Sequence, residues 1–171
     1  MKPTVKHGGG NVMVWGCMTW HGVGYMCRIN NTLDAELYRQ ILDDELTATI
    51  KYYRLSKRHV IVQRDNDPKH TAGSTSAWFK DNGIKVLFWP AQSPDMNPME
   101  HLWNEVDNRL KKYPLRPSNP DDLWERIQDV WNDIETDVCQ RLITTMPERV
   151  QDILNAPWGS YLAIELARTK P

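Results

Sequence analysis

Two stretches concentrate the side chains of this chain that are suited to chemistry. In VIVQRDNDPKHT, an apolar triplet (Val60-Ile61-Val62) gives way to Asp65, Asp67, Lys69 and His70 within a few residues. In WPAQSPDMNPMEHLW, running from Trp89 to Trp103, Glu100 follows the pair Asn97-Pro98. Paired carboxylates such as Asp65 and Glu100 suit hard divalent cations like Mg²⁺, which take oxygen ligands and keep waters. Two such ions can activate a water and stabilise the leaving oxygen in phosphodiester cleavage. Each stretch also has a plainer account. Asn66-Asp67-Pro68 is good turn chemistry, and Asp65 could simply cap the segment after it. With Asn97 as N-cap and Pro98 at N1, Glu100 falls at N3, where a glutamate completes a capping box and meets a favourable helix dipole.

The surrounding pattern decides whether the two acids can meet. Asn11 to Trp20 reads as a strand and Tyr25 to Ile29 as its hairpin partner, turning through His21 to Gly24. Asp34 is a plausible N-cap, with Leu37, Ile41, Leu42, Leu46 and Ile50 at helical spacing behind it. Arg58 to Val62 reads as a short strand. A helix from about Thr71 to Asn82 is closed by Gly83 as a left-handed cap. Ile84 to Trp89 makes another strand, stopped by Pro90. Helices are expected from Asn97, from Asp121 to Asp133, from Val138 to Met146 and from Pro147 to Leu154. This order is α/β with a helical C-terminal part. Asp65 and Glu100 each come just after a strand, and in an open α/β sheet the loops beyond parallel strand ends gather on one rim. The expectation is that both carboxylates reach that rim.

Composition narrows the class. The chain has 171 residues, 40% hydrophobic and 25% charged, with a formal net charge of −1. That suits one domain with a real core, and neither a disordered chain nor one with a strong overall basic field. Three cysteines without paired spacing fit a reduced intracellular setting. Cys17, His21 and Cys27 could be imagined as a zinc set, but they lack a fourth ligand at suitable spacing. The opening MKPTVKHGGGN has no signal-peptide pattern, and no apolar run reaches membrane-spanning length.

DNDPKHT followed by WPAQSPDMNPMEHLW resembles the catalytic domain of the Tc-one/mariner transposases, DDE superfamily endonucleases. TVKHGGGNVMVWGCM near the start and MPERVQDIL near the end extend the likeness from about Pro3 to Pro157. The thirty-four residues between Asp65 and Glu100 match the Tc-one branch. The resemblance implies a ribonuclease-H-like mixed sheet, incomplete here because the family's first strand and its aspartate lie upstream of the KHGGG segment. It makes Asp65 the second catalytic aspartate and Glu100 the final glutamate, both metal ligands. It implies Mg²⁺, with Mn²⁺ as a substitute, and DNA as partner through transposon ends and target. Nuclear location and a homodimer are compatible with it. Asn66, His70 and Asn97 would be supporting or DNA-facing groups, and Lys69, Arg109, Lys111 and Lys112 phosphate contacts.

Residues 1–157 are thus expected to be a truncated catalytic domain and 158–171 a divergent tail. The expected function is the C-terminal part of a cut-and-paste transposase catalytic domain. The alternative is a non-catalytic remnant or co-opted interaction module. Whether the chain is itself an enzyme stays open, because the first aspartate is absent from it. Arg64, where the family usually has glutamine, has no reading at this level.

Overall fold

The structure is a computed structural model and describes residues 12–65, 67–87 and 97–147. The chain order is β1 (Met13–Thr19), β2 (Gly22–Ile29), α1 (Ala35–Ile41), a π-helical turn (Leu42–Leu46) and α2 (Thr47–Tyr52). A 3-10 turn (Lys57–His59), β3 (Ile61–Val62), α3 (Pro68–Thr71), α4 (Gly73–Asp81) and β4 (Lys85–Val86) come next. The described chain finishes with α5 (Pro98–Leu110), α6 (Pro120–Asn132) and α7 (Thr136–Thr144). The expected strand end at Trp89, the last expected helix and the boundary at residue 157 lie outside the described residues. The chain divides into two compact units. Among the described residues, one is built from 14–17, 24–65 and 67–87, the other from 12–13, 18–23 and 97–147.

In the first unit, Asp34 caps α1 by accepting the Leu37 N–H at 2.8 Å. Tyr38, Leu42, Leu46 and Ile50 are all buried and, with Phe79 and Ile84, make the core. Burial of each such side chain is worth about 1.5–3 kcal/mol. Their spacing of four residues exceeds the 3.6 of a regular helix, so a continuous α-helix would rotate the later ones off the core. The π-helical turn absorbs that drift by widening one turn. The expected single helix is therefore three segments.

β1 and β2 are joined by Trp20-His21, a connection short enough only for antiparallel strands. Trp15 and Cys17 from β1, with Val60, Val62 and Val86, pack against the same core. β3 and β4 form a separate two-stranded sheet, parallel, with Ile61 opposite Lys85 and Val62 opposite Val86. The expected strand from Arg58 begins later, because Lys57–His59 takes a 3-10 turn.

Gly24 lets the hairpin approach α2. A Cβ there would sit 2.5 Å from Cys17 Sγ and 2.7 Å from Thr49 side-chain atoms. In that gap the buried Thr49 hydroxyl accepts the Tyr25 N–H at 2.9 Å and donates to the Glu45 carbonyl at 2.8 Å.

Two helices of this unit end in the same hydrogen-bonded cap. At α4, Gly83 (φ 65°) donates to Lys80 O and Ile84 to Phe79 O, as the sequence led one to expect of Gly83. At α2, Arg54 (φ 53°) donates to Lys51 O and Leu55 to Ile50 O. Glycine suits the left-handed position, whereas a side chain there costs about 1–2 kcal/mol.

In the second unit, α5 packs against both α6 and α7. Leu102, Val106, Leu123, Ile127, Val130, Trp131, Val138 and Cys139 are buried. Trp103 stacks on Trp131 with ring centroids 5.1 Å apart. The helix expected from Asp121 to Asp133 is α6, and Asn119 caps it by accepting the N–H groups of Asp121 and Asp122.

Candidate active site

Asp65 stands where β3 runs out. Val60 and Val62 face the core, and by alternation so does Arg64, whose guanidinium lies 5.6 Å from the centre of the Phe79 ring. Asp65 points the other way, and its side chain keeps 53% exposure. Capping of the next helix falls to Asp67, which accepts the Lys69 N–H at 3.1 Å, with Pro68 at N1. The expected helix from Thr71 is broken at Ala72 (φ −49°, ψ 145°) into α3 and α4, and the Thr75 hydroxyl bridges the break to Lys69 O at 2.9 Å.

His70 is the main partner of Asp65. Its Nδ1 pairs with Asp65 Oδ1, and the Asp67 N–H reaches the same oxygen at 3.3 Å. Both contacts fall on Oδ1, which leaves Oδ2 outside them. The His70 ring in turn lies on the buried Tyr38 ring, centroids 4.1 Å apart. Burial works against ionisation of Asp65. The His70 hydrogen bond and charge, the Asp67 N–H and nearby Lys69 outweigh it and hold the carboxyl below its ordinary range. The result is an ionised oxygen ligand with a fixed orientation. Burial pushes the Tyr38 hydroxyl well above its usual range despite the opposing Arg64 charge, so it stays a neutral ring support.

Arg64 Nε and Nη1 and His70 Nε2 are buried and have no hydrogen-bond partner, the only such side-chain atoms among the described residues. They flank Asp65 in sequence. Neither Tyr38 nor the burial of Arg64 left a mark in the sequence: Tyr38 reads as one more helix-face residue, and an arginine beside an aspartate reads as surface.

Glu100 lies on α5, whose N-cap is Asn97, accepting the Met99 N–H at 3.1 Å, with Pro98 at N1. Glu100 is half-buried in the first turn. It belongs to the second compact unit and Asp65 to the first. Among the described residues no group of three or more His, Cys, Asp or Glu side chains is gathered as a metal site. Asp65 supplies one oxygen donor of the right chemistry for a hard cation. Cys17 instead contacts Thr49 Oγ1 at 3.5 Å, and Cys139 is buried.

Three of the four expected phosphate contacts have other partners. Arg109 donates to Glu105 at 2.8 Å, to the Asp133 carbonyl at 2.8 Å and to Glu135 at 2.9 Å, tying α5 to the start of α7. Lys111 pairs with Asp107 at 2.6 Å, and Lys69 with Asp67. An arginine with three donors already committed within its own unit has few left for a phosphate.

The fold has solved counterparts. The chain superposes on the Mos1 transposase catalytic domain solved with raltegravir and Mg with a TM-score of 0.72 at 23% identity, covering 82% of this chain and 72% of that one. Against a pre-cleavage Mos1 transpososome the TM-score is 0.76 at 22% identity, over 89% of this chain and 45% of that one. The fold is therefore ribonuclease-H-like. Residues 3–123 match the DDE superfamily endonuclease family, and the chain belongs to it.

It is similar to the Tc1 transposase of Caenorhabditis elegans, 41% identical over 156 residues, and to the Tcb1 transposase of Caenorhabditis briggsae, 40% identical over 156 residues. Each alignment covers 90% of this chain and 55% of the relative. The chain thus spans about half the length of the relatives it matches. Among the described residues no helix is long and apolar enough to cross a membrane.

Proposed function

We propose that this chain is the C-terminal part of a cut-and-paste transposase catalytic domain that cleaves and rejoins DNA phosphodiesters with divalent metal. The observation that carries this reading is Asp65: an exposed, ionised carboxylate at the end of a parallel strand, oriented by His70 on a Tyr38 support. In this reading Asp65 and Glu100 hold Mg²⁺, or Mn²⁺ in its place. When bound, the metal supplies an activated water and charge stabilisation for the leaving oxygen. The chain's own part is to keep Asp65 charged, to fix one of its oxygens with His70, and to present the other. DNA is the substrate, the nucleus the place of action, and a homodimer the working form.

The test joins two measurements. In a longer chain that cleaves transposon ends with Mg²⁺, Asp65→Asn and Glu100→Gln should each abolish cleavage and leave the melting temperature nearly unchanged. In the present chain, Mn²⁺ binding followed by calorimetry should weaken in Asp65→Asn. Full cleavage by both variants would mean that the carboxylates only shape turns and caps, as an interaction module would use them.

A further inference from the structure

The nine residues from Lys51 to His59, KYYRLSKRH, hold two lysines, two arginines and no acid, in a chain of net charge −1. Lys51, Tyr52, Arg54, Arg58 and His59 are all exposed. The aromatic component extends beyond this run. Tyr25 of β2 is 46% exposed and Tyr52 is 67% exposed. Tyr25 and Tyr52 meet edge to face with centroids 6.0 Å apart, and Tyr52 meets Tyr53 the same way at 4.9 Å. An edge-to-face contact covers one face of one ring, where stacking would cover a face of both.

Structural duties explain part of the run. Lys51 lies in the last turn of α2, where a cation complements the helix dipole. Lys57 Nζ donates to Asn82 Oδ1 at 3.0 Å. Arg54, Arg58 and the exposed rings of Tyr25 and Tyr52 are left over. Arg54 is the informative one. It is the one non-glycine residue with a left-handed backbone among those described, in a cap where α4 uses Gly83. Glycine would fit Arg54's place without strain, so the guanidinium there needs a use other than folding.

We propose that this basic and aromatic face at the end of α2 binds single-stranded DNA, with Lys51, Arg54 and Arg58 on phosphates and Tyr52 and Tyr25 as platforms for unpaired bases. Single strands are held by this combination of a cationic track and exposed rings, because every base offers a π-face. A duplex keeps its bases stacked and would use only the cations. The face shares no residue with the Asp65 cluster, so binding here needs no metal and no carboxylate, and it stands or falls independently of the catalytic reading.

The test uses the full chain in EDTA with a fluorescein-labelled oligo(dT) of about 16 nucleotides, near the upper site size of a single-strand fold. Anisotropy is followed over a range of salt. Arg54→Gly should weaken binding, make the log–log salt dependence shallower by about 0.7, and raise the melting temperature. Tyr52→Ala should weaken binding about tenfold with the salt slope unchanged. Arg116→Ala, which removes an exposed cation of the other unit, should bind as the parent does. Unchanged affinity in both Arg54→Gly and Tyr52→Ala overturns the proposal. So does loss of binding in Arg116→Ala, or a matched duplex that binds as tightly as the single strand.

Discussion

At the scale of single residues, the orientation of Asp65 depends on a neighbour that itself depends on a ring. A group that orients a metal-binding side chain is worth about 10–100-fold in metal affinity. His70→Ala should therefore lower Mn²⁺ affinity by at least tenfold in calorimetry. Tyr38→Phe, which keeps the ring and drops only the hydroxyl, should not. Equal losses in the two variants would assign the effect to the hydroxyl instead. Asp65 and His70 stand out in the sequence because a dense run of polar ligating groups directly follows an apolar strand. Tyr38 was not, since a stacking partner 32 positions away leaves no local pattern.

A second residue-scale outcome concerns alkali. Burial pushes the Cys17 thiol up to about 11 from 9.0, with Thr49 pulling the other way and Glu45 adding to the rise. The folded state holds this proton more tightly than the unfolded chain. Its contribution is whole below pH 9 and is lost as pH climbs toward 11. Melting temperatures across that window should fall less steeply in Cys17→Ala.

Among the elements, the caps were the most legible features. Asp34, Asn97 and Gly83 all do what their residue types favour at helix ends, because capping is a local contest over a few backbone N–H and C=O groups. Gly83→Ala, which forces a side chain into the left-handed region, should cost about 1 kcal/mol in denaturant unfolding. The sequence pattern could not show the π-helical turn. Apolar residues four apart look like a helix face, and only the demand that Tyr38 and Ile50 reach one core reveals the drift that must be absorbed. The break at Ala72 was hidden for a similar reason: nothing in Thr71-Ala72-Gly73 forbids a helix, and the Thr75 bond to Lys69 O that spans the break follows no helical spacing.

For the whole molecule, α/β order was readable from the alternation of patterns, and an incomplete sheet was implied by the family resemblance alone. The described strands form two separate ribbons, although both place side chains on one core. Among the described residues β3 pairs only with β4, and Ile61 on it is 60% exposed. An apolar, unpaired strand edge invites pairing with another chain, and lysine is a common guard against it. Light scattering should show concentration-dependent association of this chain, and Ile61→Lys should suppress it. Association that persists unchanged in Ile61→Lys would place the sticky surface elsewhere.

The close approach at Gly24 has a mechanical consequence. With no Cβ between them, hairpin and helix α2 are joined through one hydroxyl, Thr49 Oγ1, that holds the Tyr25 N–H and the Glu45 carbonyl together. Such a joint behaves as a rivet and not as a cushion: the strand cannot slide along the helix without breaking it. The Tyr25 amide should then exchange its hydrogen for deuterium among the slowest in the chain, only when the whole unit opens. Thr49→Val would keep the shape, strip out the rivet, and bring that exchange forward by orders of magnitude while the flanking amides change far less.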